Sequence, residues 1–297
     1  MVTQSLPHAG RLVEVFIPSR DRALQLDGTL RSFARYCADS ANARISVLFS
    51  ATTPGHQRAY QLLAREHVGV RMCEERLFSR EAASLLGCSH QESSGADTQL
   101  LVVDDTIFVS AFSLESMTRA LLDEPAALGF SLRLGETIRF CQPLGIESTP
   151  PKLIHVIGSG AEEIVSFSWV GLQPDWGYPL ELSSSLYRRR ELVELLQGII
   201  FDSPTTLEHE LWLKSGTLAS AHHRLLCYRK PRAVSLALNR VQSLASNPVS
   251  GHQRHEPARL LTQFLEGWRV DIGAYDGYLP HACHEEAELI LTQDPGP

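Results

Sequence analysis

Apolar positions in the first hundred residues switch repeatedly between two periods. RLVEVFIPS (Arg11 to Ser19) is rich in β-formers, whereas RDRALQLDGTLRSFARYCADS carries Leu24, Leu26, Leu30, Phe33 and Ala34 near helical spacing. ARISVLFS then predicts a strand, HQRAYQLLAREH a helix, VGVRMCEE a strand and SREAASLLGC a short helix. This rhythm implies βαβ units and a parallel sheet. QLLVVDD reads as a fourth parallel strand, apolar on both faces because helices cover both.

A helix, SLESMTRALLDE, and a strand, GFSLRLG, are expected next, with polar loops at Ser89 to Asp97 and Gln142 to Lys152. EEIVSFSWV is strand-like and WGYPLELSSS rich in turns. RRRELVELLQG predicts an amphipathic helix ended by Gly198, and TTLEHELWLKSG a further helix capped by Thr205 or Thr206. A last helix, EPARLLTQFLEGW, follows the loop SNPVSGHQRHEP.

Composition narrows the classes. A 297-residue chain with 43% hydrophobic and 21% charged residues has the profile of a soluble globular protein. No apolar run is long enough to span a membrane, and MVTQSLPHAG lacks the parts of a signal peptide, so a cytoplasmic protein is the expectation. The six cysteines show no metal-ligand spacing and are read as reduced and mostly buried. A net charge of −7 argues against a nucleic-acid surface, so any polyphosphate ligand needs a local source of positive charge. All but three of the basic residues are arginine, as a GC-rich genome would also give.

LLVVDDTIFVS raises the sharpest question. Asp104 and Asp105 sit together on the rim of a buried run, where two anions repel and lose solvation. A cation, a basic side chain or a chain reversal into water must accompany them. Strand ends of this kind are where open parallel sheets bind ligands. In an extended chain Asp104 and Thr106 would share a face while Asp105 points away.

Taken in order, VFIPSRDRALQLDGTLRSF, LLVVDDTIFV and DWGYPLELSSSLYRRRELVELLQGIIFD with LEHELWL resemble the nucleotide-sugar glycosyltransferases of the GT-A fold, family-2-like in layout. The resemblance covers roughly residues 11 to 215 as pattern. It implies an α/β fold: a GT-A, Rossmann-like, mostly parallel sheet with helices on both faces. Residues 1–215 would form the nucleotide-sugar-binding core, and 216–297 a C-terminal helical extension on the acceptor side or at an oligomer contact. It implies a hexosyltransferase-type enzyme moving a sugar from a nucleoside diphosphate to a hydroxyl of a glycan or small-molecule acceptor. The reaction would invert the anomeric centre with Mn²⁺ or Mg²⁺, in polysaccharide or secondary-metabolite assembly. Nucleic acid is not an expected partner; homo-oligomers and peripheral membrane association are both compatible with the chain.

The implied residues follow the motifs, each beside a plainer reading. Pro18, Ser19, Arg20, Asp21 and Arg22 would contact the donor, although Asp21 could instead cap the next helix. Asp105 would ligate the metal while Asp104 contacts the ribose or sugar or joins the ligands; Thr106 departs from the family's Asp-x-Asp, and a solvated turn would equally use two aspartates. His284 or His281 would complete the metal site, or lie on a surface turn. Glu208, then Glu210, would deprotonate the acceptor, or stand on an exposed helix face. Trp176, Gly177 and Tyr178 would stack on a sugar and let the backbone approach it, or form a core aromatic cluster. Arg188 to Arg190 would meet phosphates or anionic headgroups, or be a solvated face. Two other readings stand beside these: a binding protein that keeps the fold without turnover, and a receiver domain, which the position of the aspartates and the scarcity of lysine disfavour.

Overall fold

The computed structural model describes residues 12–88, 95–156, 163–236, 256–286 and 288–293. Strand β1 (Val13–Arg20) pairs in parallel with β2 (Ala43–Ser50) on one side and β4 (Thr98–Leu101) on the other. β3 (Arg71–Glu74) extends the sheet beyond β2. Beyond β4 come β11 (Ser185–Arg188), β6 (Ala127–Ser131), β12 (Arg224–Tyr228), β10 (Ile164–Ser168) and β9 (Ile154–His155). β10 and β11 run against the other strands, which share one direction.

The strands alternate between two cores. Val13, Val15 and Ile17 of β1 face a cluster built with α1 (Ala23–Tyr36), α2 (Pro54–Glu66) and α4 (Leu114–Asp123). Phe16 faces the opposite cluster, closed by α3 (Phe78–Leu85), α5 (Arg189–Leu196) and α6 (Pro204–Leu218). Apolar side chains on both strand faces require helices on both sides of the sheet. The sequence rhythm therefore has the outcome expected of it.

A second sheet crosses the carboxyl end of β4. It joins β5 (Thr106–Phe108), β13 (Ala233–Leu236) and β15 (His284–Glu285), with Ser235 opposite both Thr106 and His284. Ribbons β7 (Phe140–Cys141)/β8 (Ile146–Glu147) and β14 (Arg269–Val270)/β16 (Leu291–Thr292) complete the strands. After residue 216 the described chain supplies β12 to the main sheet and β13 and β15 to the second one, with α7 (Pro257–Leu265) as its α-helix. Among the described residues, the chain after 216 therefore shares both sheets with the segments before it, beside the helix α7. Short strands that take their partners from distant segments carry little local signal, which is why they escape the sequence pattern.

Three local expectations are corrected. Gln142–Lys152 contains part of the β7/β8 ribbon. Asp21 does not cap α1; its carboxylate accepts the backbone N–H and hydroxyl of Thr52 at 2.8 and 2.6 Å. α6 begins two or three residues early because Pro204 suits its first position and Ser203 caps it. Ser203 Oγ accepts the Thr206 N–H at 3.3 Å, and Thr206 Oγ1 accepts the Ser203 N–H at 3.0 Å. The loop expected from Ser246 onward lies outside the described residues as far as 255, as do Ser89 to Ser94 of the other loop.

The arginine run has a structural cause. Arg188 donates to the carbonyls of Leu121, Glu124 and Ala127, the last two at 2.9 and 2.7 Å, and so puts its charge at the carboxyl end of α4. Arg190 forms an exposed pair with Glu194 at 3.0 Å. Among the described residues no helix is long and apolar enough to cross a membrane. No disulfide joins the six cysteines, and Cys37, Cys141, Cys227 and Cys283 are buried.

Ser203→Ala removes one half of the α6 capping box. It should lower the unfolding free energy by about 1 kcal/mol, read as a lower urea midpoint at unchanged slope.

Candidate active site

The buried run that begins in β4 stops hydrogen-bonding to β1 after Val102 and turns over at Asp104 and Asp105, with Thr106 N–H donating to the Val103 carbonyl at 3.2 Å. This turn breaks the two-residue alternation expected of an extended chain. Both carboxylates now face the same cation. Arg22 Nη1 lies 3.1 Å from Asp104 Oδ1 and 3.0 Å from Asp105 Oδ2.

The approach of Arg22 depends on the end of β1. Asp21 adopts a left-handed backbone at φ 54°, a conformation an aspartate tolerates better than most residues. The chain thereby reverses into α1, and Arg22 stands at the helix start. Ser19 donates to Asp104 Oδ2 at 2.8 Å and meets the Tyr60 hydroxyl at 2.7 Å. Thr29 of α1 donates to the Asp104 backbone carbonyl at 2.9 Å. Of the expected donor contacts, Ser19 and Arg22 thus converge on the aspartates, Pro18 is buried within β1, and Arg20 is exposed.

One guanidinium cannot balance two carboxylates. Burial, opposed by Arg22 and reinforced by Asp104, pushes the Asp105 carboxyl up to about 6. The pair retains a demand for positive charge at the carboxyl end of the parallel strands.

Thr106, where a third carboxylate would stand, has a different use. Its hydroxyl donates to the Ser183 carbonyl at 3.2 Å. The neighbouring Leu182 N–H donates to Glu208 Oε1 at 2.9 Å. Two bonds on adjacent residues therefore tie the aspartate turn to the first part of α6. Burial raises the Glu208 carboxyl to about 7, with Glu181 adding to the rise. Glu210 lies two residues on, some 200° around the helix, so it does not share this environment.

Between these poles lies an ion cluster that the sequence did not reveal. Arg133, just after β6, pairs with Glu181 at 3.0 Å; both are almost fully buried. Glu181 also accepts the Ser183 N–H and the Ser185 hydroxyl. His284 reaches the same cluster from β15, its ring nitrogens 3.3 and 3.4 Å from Arg133 Nη1. Burial and the neighbouring cation hold this imidazole near pKa 3, so it is neutral. His281 is mostly exposed and faces Glu285 at 2.8 Å. Arg133 is a single charge in an otherwise ordinary stretch, and Glu181, though inside the WGYPLELSSS passage, gives no local sign of its distant partner.

WGYPLE divides. Trp176 has no exposed surface and packs edge-on against Phe167 at 5.0 Å and 82°, so it cannot stack on a sugar. A Cβ on Gly177 would lie 1.9 Å from the Leu172 carbonyl oxygen; the close backbone approach is to the chain itself. Tyr178 is half-buried and lies near-parallel to Trp212 at 6.3 Å.

Among the described residues the grouping with metal-ligand spacing is Asp27, Glu66 and His67, not the aspartate pair with His284. Arg269 sits 2.8 Å from Glu66 and 3.7 Å from Asp27, and Arg31 is also 3.7 Å from Asp27. These arginines neutralise the carboxylates and fasten β14 to α1 and α2.

No family model matches the chain. By sequence it is similar to the bifunctional glycosyltransferase pgtA of Dictyostelium discoideum, 24% identical over 259 residues, 80% of this chain. The aligned region is 33% of that relative, so the chain spans about a third of its length. The glycosyltransferase resemblance read from the motifs thus has a curated counterpart of that class. Weaker structural likenesses include S. aureus TarS 1–349 in complex with UDP-GlcNAc, 12% identical, with 84% of this chain and 65% of that one covered at a TM-score of 0.46. A mannosyltransferase of Pyrobaculum calidifontis in complex with GDP-Man and Mn²⁺ is 14% identical, with 77% and 61% covered at 0.41.

Glu208 gains a proton more readily folded than unfolded, where its pKa is near 4.5. The folded state therefore holds extra protons between about pH 4.5 and 7, and stability falls as pH rises through that window. Glu208→Gln should remove this fall and be more stable than the parent at pH 8, by roughly 1–3 kcal/mol in urea unfolding.

Proposed function

We propose that the chain is a glycosyltransferase that moves a sugar from a nucleoside diphosphate to a hydroxyl acceptor with inversion. The observation that carries this reading is the linkage of two poles: an anion-rich turn held by Arg22, and a carboxyl at about 7 fixed to that turn through Ser183 and Leu182. Such a transfer needs charge stabilisation at one end and a base at the other. The similarity to a curated glycosyltransferase supports the same class.

In the proposed reaction the acceptor oxygen attacks the anomeric carbon as the bond to the diphosphate oxygen breaks. Glu208 takes the acceptor proton, and the diphosphate leaves with the bonding pair. A base with a pKa near 7 is ionised for half of the molecules at neutral pH and still basic enough to accept a proton. Arg22 and the end of β1 support binding of the departing phosphates. Asp104, engaged by Ser19 and Arg22, would orient the donor.

A divalent cation fits part of the donor set. Asp105 belongs to a pair with excess negative charge, and neutral His284 lies two strands away in the second sheet. Asp105 and Asp104 would hold Mn²⁺ or Mg²⁺ in place of Arg22, and His284 would join them only by leaving Arg133, 3.3 Å from its Nε2. His281 is the weaker candidate because Glu285 engages it. The ion would supply positive charge to the leaving diphosphate.

A non-catalytic reading has one observation in its favour, since Arg22 already bridges both aspartates and Thr106 offers no carboxylate. It predicts nucleotide-sugar binding without donor consumption.

Nucleoside diphosphates should stabilise the protein against heat, by about 2.7 kcal/mol at a hundredfold excess over Kd, and more strongly with Mn²⁺. Asp105→Ala should abolish the manganese increment. In transfer assays the rate should rise with pH through about 7, and Glu208→Gln should lower it on the order of 10²–10⁴-fold. Donor turnover that ignores both substitutions would overturn the assignment.

A further inference from the structure

One feature beside Glu208 is not used by donor binding or proton transfer. Trp212 is 41% exposed, although it lies on a helix whose Leu207 and Leu211 are buried in the core. Its ring is near-parallel to Tyr178, tilted 25° at 6.3 Å, and tilted 32° to His209 at 5.9 Å. At these centroid distances the rings are offset rather than eclipsed, so part of the indole face is left open. Trp176 and Trp169, by contrast, are buried in the sheet-side core.

The position is specific. Glu208 and Trp212 stand four residues apart on α6, one above the other on the same helix face. One helical turn is about 5.4 Å, close to the width of a single pyranose ring. Tyr178 reaches the same part of α6 through its ring against Trp212, and burial, with Glu208 adding to it, raises the phenol's pKa. An open aromatic face one ring-width from a candidate base suits a ligand with an apolar face and hydroxyls around its rim. A sugar ring has both, its C–H face meeting the π-system while its edge reaches the carboxylate.

We propose that Trp212, flanked by Tyr178 and His209, is the seat of the acceptor, and that the acceptor is a glycan whose terminal pyranose lies on the indole. This assignment deepens the transferase reading and rests on it. The stack selects a carbohydrate over a small aliphatic alcohol, which offers the ring face little area. It also limits the reactive hydroxyls to those that reach Glu208 when the ring is seated.

Saturation-transfer NMR tests the seat without turnover, with methyl β-D-glucopyranoside, methyl β-D-galactopyranoside and methyl α-D-mannopyranoside as probes. At least one probe should receive saturation at its ring C–H protons. Trp212→Ala should weaken that probe's binding about ten-fold. Trp212→Phe should restore most of it, and Trp212→Leu, apolar but without a π-face, should not. Circular dichroism guards against misfolding, which the exposure of the side chain makes a small risk. Loss with all three substitutions, binding indifferent to all three, or no probe bound by the wild type would each overturn the seat. The thermal shift of the wild type with nucleoside diphosphates separates the two readings. Nucleotide binding with no glycoside contact removes the seat alone. Glycoside contact at Trp212 without nucleotide binding or donor consumption removes the transferase reading and leaves a glycan-binding face.

Discussion

A single guanidinium shared by two adjacent carboxylates is the constraint around which this molecule is organised. Burying Asp104 and Asp105 at a strand end is unfavourable unless positive charge and hydrogen bonds replace water. Arg22 supplies the charge, and its position depends on the left-handed turn at Asp21. Ser19, Tyr60 and Thr29 supply the hydrogen bonds that anchor Asp104. The balance is incomplete, as the raised carboxyl of Asp105 records. A net negative charge thus remains at the end of the parallel sheet.

The second consequence is geometric. Because the chain turns at the aspartates, β5 leaves the main sheet and pairs with β13, which brings β15 and His284 toward the same region. Thr106 is then free to hold Ser183, and Leu182 to hold Glu208. The buried Arg133–Glu181 pair braces this passage. Breaking one partner of such a pair leaves an uncompensated charge, so the brace is rigid even where its net contribution to stability is small. The elevated Glu208 carboxyl records that its ionised form costs stability near neutral pH, a trade often found at functional sites.

The legible part of the fold was the repeating part. Strand β2 coincides with the stretch whose β-formers predicted it, and α1, α2, α4, α5 and α7 fall where the apolar spacing put them. Period and propensity act over eight to fourteen residues there, which suffices to overcome local ambiguity. The candidate site was legible at Ser19, Arg22, Asp104, Asp105 and Glu208, which stand within ordered motifs. It was not legible at Arg133, which stands outside the motifs, nor at Glu181 and Trp212, which stand inside them but whose contacts are set by Arg133, 48 residues away, and by the ring of Tyr178.

The amino-acid sequence by itself determined the α/β alternation, the sheet covered on both faces, and the presence of two anions in need of a partner. Those properties follow from spacing and chemistry within a few consecutive residues. Tertiary structure alone decided that the partner is Arg22, that Thr106 is a strut, that Trp176 is core while Trp212 is open, and that the C-terminal residues complete the sheet. Each of these depends on contacts between segments far apart in the chain, and packing chooses those contacts only after the local elements exist.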